Sequence, residues 1–166
     1  MKKIHVISNI LYLILLLTLL VSCMTTENIT VYENQDFNFS VSFPNKWDYK
    51  ISPMMEPTEH FEGTPDSGVT IFLNDKHEDY IYVFGQLGHI NIGLNWSEEK
   101  NFITNSGKTG KMVLDNYNDR QEIWVIKDDP SVKGFIGMSV QVSNELYKKN
   151  EEEILAVLKS LEIQSI

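Results

Sequence analysis

The sequence predicts an α+β domain, strands first and a helix packed on them last, and three observations predict it. Phe37-Asn38-Phe39-Ser40-Val41-Ser42-Phe43 alternates apolar and polar residues without a break, which is the period of a half-buried strand. Several further short runs of strand-like composition follow, separated by turn-forming clusters. Ile154, Val157, Leu158 and Leu161 then fall at i, i+3, i+4 and i+7, one apolar face of a closing helix. No internal repeat breaks this order, so residues 36–166 read as a single domain.

Ahead of the domain lies an address. Met1 to His5 carries two lysines and no acid, and from Ile10 to Val21 the chain is apolar except for Thr18. A positive head followed by a short apolar run is a secretory leader. A membrane-spanning helix needs about 20 apolar residues, and this run is shorter. Polar Thr25, Thr26, Glu27 and Asn28 follow it, with no Lys/Arg cluster to stop transfer. Leu20-Val21-Ser22-Cys23 resembles the lipobox of bacterial lipoproteins. The resemblance implies that Leu20, Val21 and Ser22 are read by a signal peptidase. It further implies a diacylglyceryl thioether on Cys23, cleavage before it, and acylation of the new amino terminus with a palmitate-type chain. Two or more chains hold stably, since each buried methylene contributes about 0.8 kcal/mol and one chain holds only marginally. On this reading residues 1–22 are leader and 23–35 are the lipidated cysteine and tether. The protein then sits on a bacterial cell membrane facing away from the cytoplasm. An ordinary leader with a chance cysteine is the alternative.

Cleavage before Cys23 removes 22 of 166 residues and leaves 144, enough to bury roughly two thirds of the unfolded chain's surface in one domain. Losing Lys2 and Lys3 takes the net charge from −9 to −11. So acidic a surface repels nucleic acid and anionic lipid, which excludes nucleic acid as a partner. Cys23 is the sole cysteine, so a lipidated protein has no disulfide, thiolate metal site or cysteine nucleophile. Its stability must come from an ordinary core, and three Trp, seven Tyr and eight Phe supply one.

In chain order, a polar tether from Met24 runs into a short strand at Ile29–Tyr32. The alternating run Phe37–Phe43, the turn Pro44-Asn45-Lys46 and Trp47–Ile51 read as a hairpin with its aromatic face inward. Ser52–Ser67 is a long connection with three prolines, and loops of this length in compact domains are often functional. Gly68–Leu73 and Tyr80–Gln86 are the next strands. The second is apolar on both faces and therefore central. A glycine-broken stretch holds a short strand at His89–Ile92. Ser97-Glu98-Glu99-Lys100 has the N-cap and acids of a short helix reaching Thr104. After a turn at Gly107–Gly110, strands are predicted at Lys111–Asp115, Glu122–Lys127 and Gly134–Val142. The closing helix has Asn150 as its cap, with Glu151, Glu152 and Glu153 at the positive end of its dipole, although helix can begin as early as Glu145.

The run from Phe37 through Phe43-Pro44-Asn45-Lys46 to Trp47 resembles the opening hairpin of the PsbP-like family, whose pattern is alternating apolar residues, an aromatic-proline pair, then a tryptophan after the turn. Ile154-Leu155-Ala156-Val157-Leu158-Lys159-Ser160-Leu161 resembles its closing helix. The resemblance covers Ile29 to Ile163. It implies an antiparallel sheet flanked by helices, an α/β/α sandwich, and a family of mostly non-enzymatic binding or assembly proteins, many bacterial members being lipoproteins. The family's metal-site residues have no match here, and nothing suggests a photosystem.

Candidate chemistry is sparse. Glu59, His60, Glu62 and Asp66 fall in the long connection and Asp75, His77, Glu78 and Asp79 in a turn, so His60 and His77 stand beside carboxylates that suit zinc or manganese. Neither group has His-x-x-x-His or calcium-loop spacing, and solvated loop acids are the preferred reading, so no metal or other cofactor is expected. His89, in an apolar stretch near Gly88 and Gly93, is a base or ligand candidate or else a buried hydrogen-bonded histidine. Asp115 and Asp128-Asp129 suit acid–base work or turns equally. Gly107-Lys108-Thr109-Gly110 lacks the upstream glycine of a phosphate loop. No Gly-x-Ser-x-Gly occurs. Trp47 and Trp124 are expected in the core, whereas Trp96, beside a glycine-rich stretch, is a partner-binding candidate with His89. The expectation is a membrane-anchored, non-enzymatic binding or assembly module for an envelope protein or small ligand, using the loops Ser52–Ser67 and Gly88–Trp96. Its rival is a metal-dependent or hydrolytic envelope enzyme built on the loop acids and histidines.

Overall fold

The computed structural model describes residues 28–55, 59, 66–88, 96–128 and 134–164. The leader, Leu20, Val21, Ser22, Cys23, His60, His89 and the predicted strand at His89–Ile92 lie outside the described residues. The elements are β1 (Ile29–Asn34), β2 (Phe39–Pro44), β3 (Asp48–Ser52), β4 (Asp66–Phe72), β5 (Tyr80–Gln86), β6 (Glu98–Ile103), β7 (Thr109–Tyr117), β8 (Arg120–Asp128), β9 (Phe135–Ser143), α1 (Asn144–Lys159) and β10 (Glu162–Ile163). Among the described residues the paired strands all run antiparallel. Seven strands form one sheet in the order β3-β4-β5-β9-β8-β7-β6, and three form a smaller one, β1-β2-β10. The antiparallel α+β fold with a C-terminal helix packed on the sheet is therefore the observed one.

The core lies between the sheets. Val69 and Ile71 of β4, Ile81 and Val83 of β5, Ile136, Met138 and Val140 of β9 and Ile123 and Val125 of β8 form one apolar face. Phe39, Val41 and Phe43 of β2 and Ile154, Val157, Leu158 and Leu161 of the helix segment belong to the same buried cluster. Two-residue periodicity in the strands and the helical stripe thus point at one another across a single core. As predicted, β5 is interior: it lies between β4 and β9, with Phe84 buried on the face opposite Ile81 and Val83.

The structure corrects four local expectations. First, β2 and β3 are not a hairpin. β2 pairs with β1 and β10, while β3 pairs with β4 in the large sheet. Pro44 ends the β1–β2 ladder opposite Ile29, and buried Trp47 anchors the chain as it crosses between sheets. Second, the predicted helix Ser97–Thr104 is strand β6, paired with β7 from Glu98↔Leu114 to Ile103↔Thr109. The edge of β7 needs a partner, and Phe102, buried in a run of exposed polar residues, anchors it there. Third, Asn150 is not the helix cap. Ser143 is, its Oγ accepting from Leu146 N, and Asn150 (φ −120°, ψ 18°) marks a kink inside α1 where its Nδ2 donates to Leu146 O at 3.1 Å. Fourth, residues 29–34, assigned in part to the tether, are strand β1 of the small sheet, paired with β2 along their whole length.

Turn chemistry agrees with the sequence where it is most local. Asn118 and Asp119 both have positive φ (49° and 60°) in the two-residue connection between Tyr117 and Arg120, the requirement of a type I′ hairpin turn. Ser160, one residue past α1, joins helix to small sheet. Its Oγ accepts from Ser42 N (2.9 Å) and lies within hydrogen-bond distance of Ser42 O (3.0 Å) and Val157 O (2.7 Å).

Candidate binding groove

A groove of about 350 Å³ lies where the small sheet meets α1. One wall is Ile29, Ser42 and Pro44, at the end of the sheet where the chain enters the fold, and the other is Glu153, Ala156 and Ser160 of the helix segment. A shallower hollow of about 260 Å³ under Asn28, Asn45 and Lys46 adjoins it at Pro44. The walls are fixed from both sides. Asn45 N donates to Asn28 O (2.8 Å), Asn105 N donates to Lys159 O (2.8 Å), and Ser160 pins the helix end to β2.

The polar chemistry of the groove centres on Glu153. Its Oε1 accepts from Lys46 Nζ at 2.6 Å across the rim, and Lys46 lies 5.8 Å from the centre of the Trp47 ring. Its Oε2 is buried with no hydrogen-bond partner. A buried acceptor without a donor is costly, so the site favours a group that donates an N–H. The Ser160 hydroxyl in the lining is committed to backbone groups, whereas Glu153 keeps one carboxylate oxygen able to accept a hydrogen bond from a bound group.

The other sequence candidates are placed as follows. His77 is exposed in a left-handed conformation (φ 59°) and stacks on Phe72 with ring centroids 4.0 Å apart. Among the described residues no three His, Cys, Asp or Glu side chains gather as a metal site. Asp79 is not a solvated loop acid: at 5% exposure it accepts from Ser143 N (2.7 Å), Arg120 Nη2 (3.1 Å) and Asn74 Nδ2. Trp96 is half-buried immediately before β6, its indole N–H buried without a partner. Trp47 is core. Trp124 is half-buried on the far face of the sheet, beside Phe84 and with its Nε1 donating to Glu122 Oε1 (2.7 Å). The groove itself had no sequence signature, because its walls come from residues more than a hundred positions apart, as the Ser42–Ser160 separation of 118 shows.

That far face carries an aromatic layer. Phe84 stacks on Tyr82 and meets Trp124 and Phe135 edge-on, and Tyr82 OH donates to Asp66 Oδ2 at 2.6 Å. Burial, then the bond to Asp66, pushes the Tyr82 hydroxyl well above its ordinary pKa of 10. Burial, then Glu151, pushes Tyr147 up to about 12. Raised folded values mean that the neutral form is favoured by folding. Their contribution is whole below pH 10 and is lost as pH rises through the folded values. The urea midpoint is therefore expected to hold level from pH 7 to about 9.5 and to fall above it. Tyr147→Phe should make that fall shallower, and an identical slope in the variant would refute the assignment.

Fold and site together define an antiparallel α+β domain with a groove at its side. The structure is similar to the solution structure of a cyanobacterial PsbP (CyanoP) from Synechocystis, with a TM-score of 0.55 and 7% sequence identity over 86% of this chain and 96% of that one. No family model and no curated protein sequence matches the chain.

Proposed function

We propose that the chain is a lipoprotein anchored through Cys23 outside the cytoplasm, and that its domain is a non-enzymatic binding module whose site is the groove beside Pro44. The observation that carries this reading is position. Asn28, in the wall of the smaller hollow, follows Cys23 by only five residues, and Ile29 of the groove comes next. A fully extended tether of that length spans roughly 18 Å. A lipid on Cys23 would hold the groove close to the headgroups, where it meets partners that share the membrane. The ligand chemistry that suits it is an amine or amide N–H for Glu153 on an apolar body lying along Ile29, Pro44 and Ala156. The mostly non-enzymatic PsbP-like pattern from Phe37 to Trp47 supports binding over catalysis.

The test is metabolic labelling of the full-length, C-terminally tagged chain with an alkyne-bearing palmitate, followed by crosslinking in cells and mass spectrometry. The wild-type protein should carry label and Cys23→Ala should carry none. Ala156→Arg, which fills the groove, should keep the label and lose the principal crosslinked species. Label retained in Cys23→Ala would sink the anchor, and crosslinks unchanged by Ala156→Arg would sink the groove.

A further inference from the structure

β3 is the last strand on one side of the large sheet. It pairs with β4 alone. Among the described residues, no hydrogen bond or ion pair beyond that ladder reaches residues 48–51. Edge strands are usually blunted by bulges, prolines, covering loops or charged side chains, and the two charges on β3 are of opposite sign, able to pair across an edge as well as to guard it. Here Asp48, Tyr49, Lys50 and Ile51 are all exposed, and both apolar members, Tyr49 and Ile51, are 50% exposed. Their charges alternate with them: Asp48 and Lys50 point to one face of the sheet, Tyr49 and Ile51 to the other.

That pattern is self-complementary in one register. When two copies of a strand pair antiparallel about a two-fold axis, the axis must pass through a residue facing its own copy, because only then do outward N–H and C=O groups meet. Centring on Asp48 sets two carboxylates against each other, and centring on Lys50 sets two ammonium groups together. Centring on Ile51 brings Tyr49 against Pro53, which has no N–H to donate. Centring on Tyr49 places Asp48 opposite Lys50 twice and stacks the two tyrosines, with Ile51 facing the Trp47 position. Opposite charges and aromatic pairs directly across the ladder are the favourable combinations.

We propose that two copies of this chain associate along β3 in antiparallel register about an axis through Tyr49, continuing the large sheet from one copy into the other. A single edge of this length makes a weak pair, so a covalent trap reads it best. In the full-length chain Tyr49→Cys puts a thiol directly opposite its own copy, with Cβ atoms about 4.5 Å apart at the close end of cross-strand spacing, which is the outer limit for a disulfide. Mild oxidation in cells should give a disulfide dimer that the parent chain does not form. Adding Asp48→Lys or Lys50→Asp to Tyr49→Cys creates two like-charge pairs and should cut trapping roughly tenfold in each variant alone. Coexpressed with different tags, those two charge variants should trap each other efficiently. The lysine introduced in one copy then faces the aspartate introduced in the other, and the native Lys50 of the first copy faces the native Asp48 of the second. That recovery also shows that both variants are folded. Homodimers unaffected by either charge change would overturn the proposal, as would a mixed pair that fails to recover or trapping only to a different protein.

Discussion

Gly85→Ala is expected to destabilise the protein by about 3 kcal/mol, at the upper end of what overpacking a core costs. A Cβ on Gly85 would stand 2.0 Å from Cγ of Phe37 and 2.4 Å from its Cδ2. Phe37 is buried in the turn between β1 and β2, held by its own N–H donating to Asn34 Oδ1 at 2.9 Å. Its ring lies directly against Gly85 of β5 within the shared core, so it cannot move aside without disturbing the packing between the two sheets. Phe37→Ala alone should cost about 4 kcal/mol through lost burial and the cavity left behind. The two changes share one volume. In the double variant the new methyl enters the space that the ring vacated, and the total should fall at least about 1 kcal/mol short of the sum. Urea denaturation of the three variants measures this directly, and strict additivity would show that the contact does not hold the sheets together.

Asp79→Ala is expected to cost about 3 kcal/mol, on the order of 10 °C in melting temperature for a chain of this size. The carboxylate closes a junction of three separate segments. It accepts from Asn74 within its own turn, from Arg120 at the start of β8, and from the backbone N–H of Ser143, the residue that caps α1. Removing it strands buried donors rather than merely breaking a surface ion pair. Arg120→Ala should cost much less, about 1 kcal/mol, because that guanidinium is partly exposed and also donates to Glu78 O. Thermal melts of the two variants compare them. A cost for Asp79→Ala no larger than that for Arg120→Ala would remove Asp79 from its central place.

Asp79 also shows where the sequence stops being informative. A run such as Asn74-Asp75-Lys76-His77-Glu78-Asp79 announces a turn, and the turn is there. Nothing in it distinguishes the one acid that is folded inward, because the donors that make burial tolerable come from β8 and the β9–α1 junction. Strands with their own signature, such as the alternation of Phe39–Phe43 or the apolar run Tyr80–Gln86, were legible because burial on one or both faces imposes a local period. Which strand each would pair with was not. β2 and β3 are neighbours in sequence and belong to different sheets, and β6 has helical propensity that the free edge of β7 overrides. The helix was legible in its stripe and in its early start near Glu145, but not in its cap, since Asn150 offers good capping chemistry at a kink rather than at an end. The groove fared worst, its two walls meeting only after the whole chain has folded.

The small sheet has a consequence for how the protein comes into being. Its middle strand, β2, is flanked by β1 from the start of the fold and by β10 from its end. A chain emerging amino terminus first therefore has no way to complete that sheet until residues 162–163 are free. Contacts this distant in sequence must overcome a large loop-closure entropy before they contribute, which places such a fold among the slower ones. The nascent polypeptide therefore cannot close the small sheet around β2 until that late strand has emerged, and the closure falls late in folding.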